Sequence, residues 1–242
     1  WPGSDKVEEG DIGDMVKGGA IGNGKFDFPW QPPGGYWPPY DELLPVLATG
    51  GALTGHTAVA IAAGGQSTCA ILDNGTVKCW GLNDHGQLGQ GDTNNRGDEA
   101  NEMGDNLLPI DLGSSTPSQV SAGADHVCAN ITTPNAAPNQ FLQCWGDNTY
   151  GQLGDGQGLS YGSATGTMGA SLPLIDLNGA GFIDVAAGAS HTCVVLAESN
   201  ATSSSSVTCF GLNSIGQLGL GDTANRGASA LTMGLGLGIS LS

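Results

Sequence analysis

Six cysteines, two histidines in matching places and three Asn-x-Thr tripeptides are the residues of this chain whose types and spacing could do chemistry. The cysteines fall into close pairs, Cys69 with Cys79, Cys128 with Cys144 and Cys193 with Cys209. Thiols placed in this way serve as metal ligands or as disulfides. A zinc site gathers four ligands, typically through Cys-x-x-Cys spacing, and none of these pairs has that spacing. Six cysteines allow fifteen full pairings. Folding the chain about Asn74 sets Cys69 directly opposite Cys79, at the separation a disulfide bridges. The other two pairs straddle longer loops in the same manner. Three local disulfides are expected, and with them an oxidising compartment: secreted, extracellular or at the cell surface.

Asn74-Gly-Thr76, Asn130-Ile-Thr132 and Asn200-Ala-Thr202 have the form of N-glycosylation acceptors. Asn74 and Asn200 fall in the loops between paired cysteines, where segment length varies and exposure is expected. Asn130 has Ile71 as its counterpart in the first pair, an apolar strand position.

His126 and His191 stand two residues before Cys128 and Cys193, where the first pair has Ser67. A catalytic group has no reason to recur once per structural unit, whereas a polar group that steadies a turn does. No nucleophile with a base partner, phosphate-cradling loop or metalloprotease helix occurs. No catalytic, cofactor-binding or metal residue is assigned, no cofactor is expected, and the chain is not read as an enzyme. Asp92-Thr-Asn-Asn and Asp222-Thr-Ala-Asn lack the alternating acidic pattern of a calcium loop and read as Asx turns. Arg96-Gly97-Asp98 spells an integrin-binding tripeptide, but its counterpart is Arg226-Gly227-Ala228, so the Arg-Gly belongs to a repeated element.

Those residues sit in a repeat. Cys79-Trp-Gly-Leu-Asn-Asp-His-Gly-Gln-Leu-Gly89 recurs from Cys144 and again from Cys209, with 65 residues between successive copies. Met103-Gly104, Met168-Gly169 and Met233-Gly234 keep the same step. A fixed period of this size marks units that bury their apolar faces only against their neighbours. Within each unit the runs are short and strand-like: Val59–Gly64, Ser67–Leu72 and Thr76–Trp80 in the first, the last two joined by Asp73-Asn74-Gly75, a hairpin signal. Four short antiparallel strands per unit is the coarse reading. The all-β array is assigned to residues 42–242, as repeats of about 59–117, 120–182 and 185–242.

Residues 1–41 match nothing downstream and hold six of the twelve prolines, interleaved with Phe, Trp and Tyr. Such a segment cannot propagate a helix or a central strand, and is read as an arm or linker. The chain begins at Trp1, which reads as a processed or partial product. Charged residues make up 12%, against roughly 25% in an ordinary soluble domain. The 42 glycines suit many tight turns. A net charge of -17 repels phosphate backbones and anionic lipid, which argues against nucleic-acid partners. No apolar run approaches the roughly 18 residues of a membrane span.

The units resemble the repeats of the regulator of chromosome condensation family. The resemblance is carried by Ala-Gly-x-x-His-x-Cys at 122–128 and 187–193, followed by Trp-Gly-x-Asn-x-x-Gly-Gln-Leu-Gly. It implies a β-propeller of four-stranded blades, and the cysteines and long Met-Gly connections look like a secreted, disulfide-containing branch. A propeller closes with about four to eight blades, so three units make an incomplete or open array. The expected function is that of an extracellular structural glycoprotein, a subunit of a filament, sheath or surface appendage that assembles head-to-tail as a homo-oligomer or polymer. A second reading is a secreted binding module or inhibitor that takes a protein or glycan partner through its loops.

Overall fold

The hairpin at Asn74-Gly75 shows how local chemistry sets the first sheet. Asn74 Oδ1 accepts from the Thr76 backbone N–H at 3.1 Å and from its hydroxyl at 2.8 Å. Gly75 takes φ +78°, which a side chain would resist. The turn fixes the register that faces Cys69 with Cys79. In this computed structural model the described residues are 55–134, 140–175, 181–197, 205–229 and 238–239. The arm assigned to residues 1–41, and Asn200 with its loop, lie outside them.

Three antiparallel sheets follow in chain order. The first has β1 (Ala58–Gly64), β2 (Ser67–Leu72) and β3 (Val77–Gly81). The second has β4 (Thr116–Ala122), β5 (His126–Thr132) and β6 (Gln140–Gly146), and the third β7 (Gly181–Ala187), β8 (His191–Ala197), β9 (Ser205–Gly211) and the two-residue β10 (Gly238–Ile239). Each inner strand pairs with the next, and a register shift occurs at one repeat position, between Ala58 and Ala60, Pro117 and Gln119, and Phe182 and Asp184. The residue skipped there turns outward, which is why Val59 and Ile183 are exposed despite being apolar.

The fourth strand differs from the sequence expectation. In the first two sheets it shrinks to single contacts: Ile110 N–H donates to the Val77 carbonyl at 2.8 Å, and Ile175 exchanges both backbone bonds with Leu142. Proline explains the truncation. Pro109 stands one residue before Ile110 and Pro173 two residues before Ile175, and a residue without an N–H cannot extend a ladder.

A continuous core runs through the sheets. Leu88, Trp145, Leu153 and Phe210 are fully buried, and one cluster spans from Cys69 to Phe210. A second, small cluster of Ala70, Leu72 and Leu107 with Trp80 and Met103 lies on the opposite side of the first sheet. All described residues fall within one compact unit, Leu44–Ser242. Among them no helix is long and apolar enough to cross a membrane.

Candidate functional site

The signature loops that follow β3, β6 and β9 are each hung on a buried asparagine. Asn83 Oδ1 accepts from Leu88 N–H at 2.9 Å, while its Nδ2 donates to the carbonyls of Asp92 and Asn94 at 2.9 and 3.0 Å. Asn213 repeats all three bonds with Leu218, Asp222 and Ala224. Asn148 binds Leu153, Leu159 and the carboxylate of Asp155. The sequence shows this asparagine within the recurring Trp-Gly-x-Asn signature but gives it no role of its own. The signal was its recurrence in all three copies.

The loops present surfaces that fit the next sheet. Gly91 N–H donates to the Gly162 carbonyl at 2.9 Å, and Gly156 N–H to Gly227 at 3.0 Å. A Cβ on Gly86 would lie 2.2 Å from Ser163 N, and one on Gly151 2.4 Å from Ala228 N. Side chains close the same seams. Trp145 Nε1 donates to the Gln87 carbonyl at 3.0 Å, and Phe210 packs on Gly154.

His126 sits in the seam between the second and third sheets, fully buried. The Thr192 hydroxyl donates its one proton to the Gln152 carbonyl at 2.9 Å. It therefore accepts from His126 Nε2, also at 2.9 Å, which leaves Nδ1 deprotonated and without a partner. Burial pushes the imidazole down to about 4, against the pull of Asp147 and with help from His191. Burial also lowers His191, which is half-buried. His126 is thus a neutral group that joins two blades, while His191 lies on the outer side of the third blade.

The other sequence candidates are placed as follows. Disulfides join Cys69 to Cys79, Cys128 to Cys144 and Cys193 to Cys209. Asn74 is exposed at a hairpin tip, its Nδ2 3.1 Å from His56 Nε2, and His56 Nδ1 lies 2.9 Å from the Asp73 carboxylate, which it holds below the usual range. Asn130 is 5% exposed, in the middle of β5 between Gln119 and Leu142. A glycan has no room there in the folded sheet. Asp92 uses one carboxylate oxygen for Asn94 N–H and Asn83, and the other for Arg96 at 2.6 Å. Arg96 is further spent on the carbonyls of Asn94 and Asn95, so the Arg-Gly-Asp tripeptide is built into the loop.

Two sequence profiles of the regulator of chromosome condensation (RCC1) repeat match, one over residues 58–87 and the other over 74–129 and 144–195. Together they cover more than half of the chain. The chain belongs to the RCC1 repeat family. The matched spans contain the first sheet, β4 and β7, parts of β5 and β6, and two of the buried asparagines, Asn83 and Asn148. The ultraviolet-B receptor UVR8 of Arabidopsis thaliana is 31% identical over 166 residues, 67% of this chain and 31% of that protein. The probable E3 ubiquitin-protein ligase HERC4 of Homo sapiens is 33% identical over 174 residues, 72% of this chain but 14% of its own length. The chain thus spans under a third of these relatives. Among solved structures, human WBSCR16 superposes with a TM-score of 0.50 at 18% identity, covering 72% of this chain and 38% of that one, a likeness of fold alone. The RCC1 repeats here form propeller-type blades.

Among the described residues, the two end blades differ from the inner seams on their outer sides. Val120 and Val185, on β4 and β7, are 7% and 4% exposed beneath the preceding blade, while their counterpart Ile61 on β1 is 68% exposed. At the other end, nothing lies within 4 Å of a Cβ placed on Gly216, the counterpart of the crowded Gly86 and Gly151.

Proposed function

We propose that this chain is an extracellular structural glycoprotein, a subunit of a filament, sheath or surface appendage that assembles through its blades. The observation that carries this is that, among the described residues, Ile61 and the Gly216 turn stand open where their inner counterparts are buried. In the inner seams the same positions are filled by a neighbouring blade, which buries Val120 and Val185 and crowds Gly86 and Gly151. The three disulfides support an oxidising compartment. The acidic net charge of -17 supports solubility and argues against nucleic-acid partners.

Light scattering and electron microscopy of the purified chain test this reading. Concentration-dependent growth into elongated particles is expected, and a monomer at all concentrations would sink it. Glycosylation is proposed at Asn74 and, from sequence alone, at Asn200. Peptide mass mapping before and after enzymatic deglycosylation should report both, and should find Asn130 unmodified.

A further inference from the structure

The tip of the first hairpin gathers reactive groups around one side-chain amide. His56 Nδ1 lies 2.9 Å from one oxygen of the Asp73 carboxylate, and the other oxygen accepts from the Thr57 N–H at 3.2 Å. His56 Nε2 in turn lies 3.1 Å from Asn74 Nδ2. On the far side of the same amide, Asn74 Oδ1 accepts from the Thr76 N–H at 3.1 Å and from the Thr76 hydroxyl at 2.8 Å. The oxygen thus has two donors ready for added negative charge, and the nitrogen has an imidazole oriented by a carboxylate. These residues belong to the β2–β3 turn and the segment just before β1, so the arrangement uses no contact between blades.

The next residue supplies a nucleophile. Gly75 has no side chain to shield its backbone nitrogen, and a Cβ placed on it would meet nothing closer than Thr116 Cγ2, at 3.6 Å. Its N–H donates to the Leu72 carbonyl at 2.9 Å. Among the described residues Asn74-Gly75 is the one Asn-Gly step, and the tripeptides at Asn130 and Asn200 have Ile and Ala in the glycine's place.

We propose that Asn74-Gly75 is a self-deamidating site, in which Thr76 holds the amide oxygen and His56, oriented by Asp73, protonates the departing nitrogen. Hydroxide removes the Gly75 amide proton, and the nitrogen's electron pair forms a bond to Asn74 Cγ while the carbonyl π pair moves onto Oδ1. The two Thr76 donors stabilise that charge. At this stage the Nδ2 lone pair is free of amide resonance and accepts from Nε2–H of protonated His56. As the carbonyl reforms, the Cγ–Nδ2 bond breaks and ammonia leaves with that proton. Water then opens the cyclic succinimide at either carbonyl and leaves aspartate or isoaspartate at position 74. The product carries an added negative charge and no amide nitrogen, so deamidation and glycosylation at Asn74 exclude each other. The site acts in chains whose Asn74 is unmodified, and it is independent of the assembly reading.

The full chain secreted into a bacterial periplasm, checked by mass to carry no glycan, tests this. After incubation at neutral pH, reduction and trypsin, cleavage at Lys25 and Lys78 separates Asn74 from Asn23-Gly24 and Asn178-Gly179. Chromatography with a mass readout then resolves the Asn, Asp and isoAsp forms. Asn74 of the folded wild type converts, and His56→Gln slows the conversion at least about tenfold. Thr76→Val slows it less, because the backbone donor stays, and Thr76→Ser, which keeps the hydroxyl, matches wild type. In urea all four chains react alike, since the fold that gathers the groups is gone. The Cys69–Cys79 disulfide, read in unreduced digests, shows that each variant has formed its hairpin. A purely structural His56 would restrain the turn, and its loss would speed the reaction, so the sign of the change separates the two roles. If folded His56→Gln reacts as fast as wild type or faster, or if folded wild type keeps Asn74 intact while the chain in urea loses it, these hydrogen bonds protect the amide and the proposal fails.

Discussion

Asn83, Asn148 and Asn213 each carry a whole loop on one buried amide. Removing the Asn148 side chain orphans the buried Leu153 N–H and takes a donor from the Leu159 carbonyl and from the Asp155 carboxylate, which keeps the Gln157 and Gly158 N–H groups. Asn148→Ala should therefore lower unfolding stability by about 2–4 kcal/mol, read from denaturant midpoints. A loss below 0.5 kcal/mol would show that the loop holds itself. His126 makes a pH prediction. Its folded value, about 4, lies below its unfolded value near 6.5. Between these the unfolded chain binds the extra proton, so stability is intact above about pH 6.5 and falls as pH drops toward 4, by about 3 kcal/mol in total. In His126→Asn the part of the acid loss that falls in this window should disappear, and urea melts at a series of pH values would detect it.

At the scale of the element, the signature turn offers an internal control. Gly86 and Gly216 have nearly the same backbone, φ +78° and +81°, but only Gly86 has a neighbour in the way. Gly216→Ala should cost about 1 kcal/mol, the strain of a side chain in the left-handed region. Gly86→Ala adds a backbone collision with Ser163 and should cost at least about 3 kcal/mol. Thermal melts of the two variants at a concentration where the chain is monomeric make the comparison, and equal costs would remove the seam from the account. The blade itself was legible in the sequence because its determinants are local: a hairpin turn at Asn74-Gly75 and cysteines that oppose each other across it. The fourth strand was over-read. Pro109 and Pro173 were visible, but their place in the ladder depends on where the long connection lands.

For the whole molecule, charge and apolar faces act in opposite directions. Copies carrying -17 repel one another, and salt screens that repulsion over about 10 Å at 0.1 M. Assembly should therefore strengthen as sodium chloride is raised, in sedimentation runs at fixed protein concentration. Dissociation by salt would point instead to a contact made by opposite charges. Within the array, what each blade offers its neighbour is a shaped surface of backbone donors, an aromatic and a few buried polar groups.

The sequence by itself determined the unit, its period and its family, because each copy repeats the same local choices of turn, cysteine, aromatic and glycine. It did not determine which copies of a position are covered. Ile61, Val120 and Val185 are alike as residues, and only the stacking of blades buries two and leaves the third open. Asn130 fits an acceptor tripeptide as well as Asn74 does, and only its place in the central strand takes it out of reach. His126 and His191 share a motif, yet one is sealed in a seam and the other waits at an edge. Burial is a property of neighbours distant in the chain, and the tertiary structure alone decides who those neighbours are.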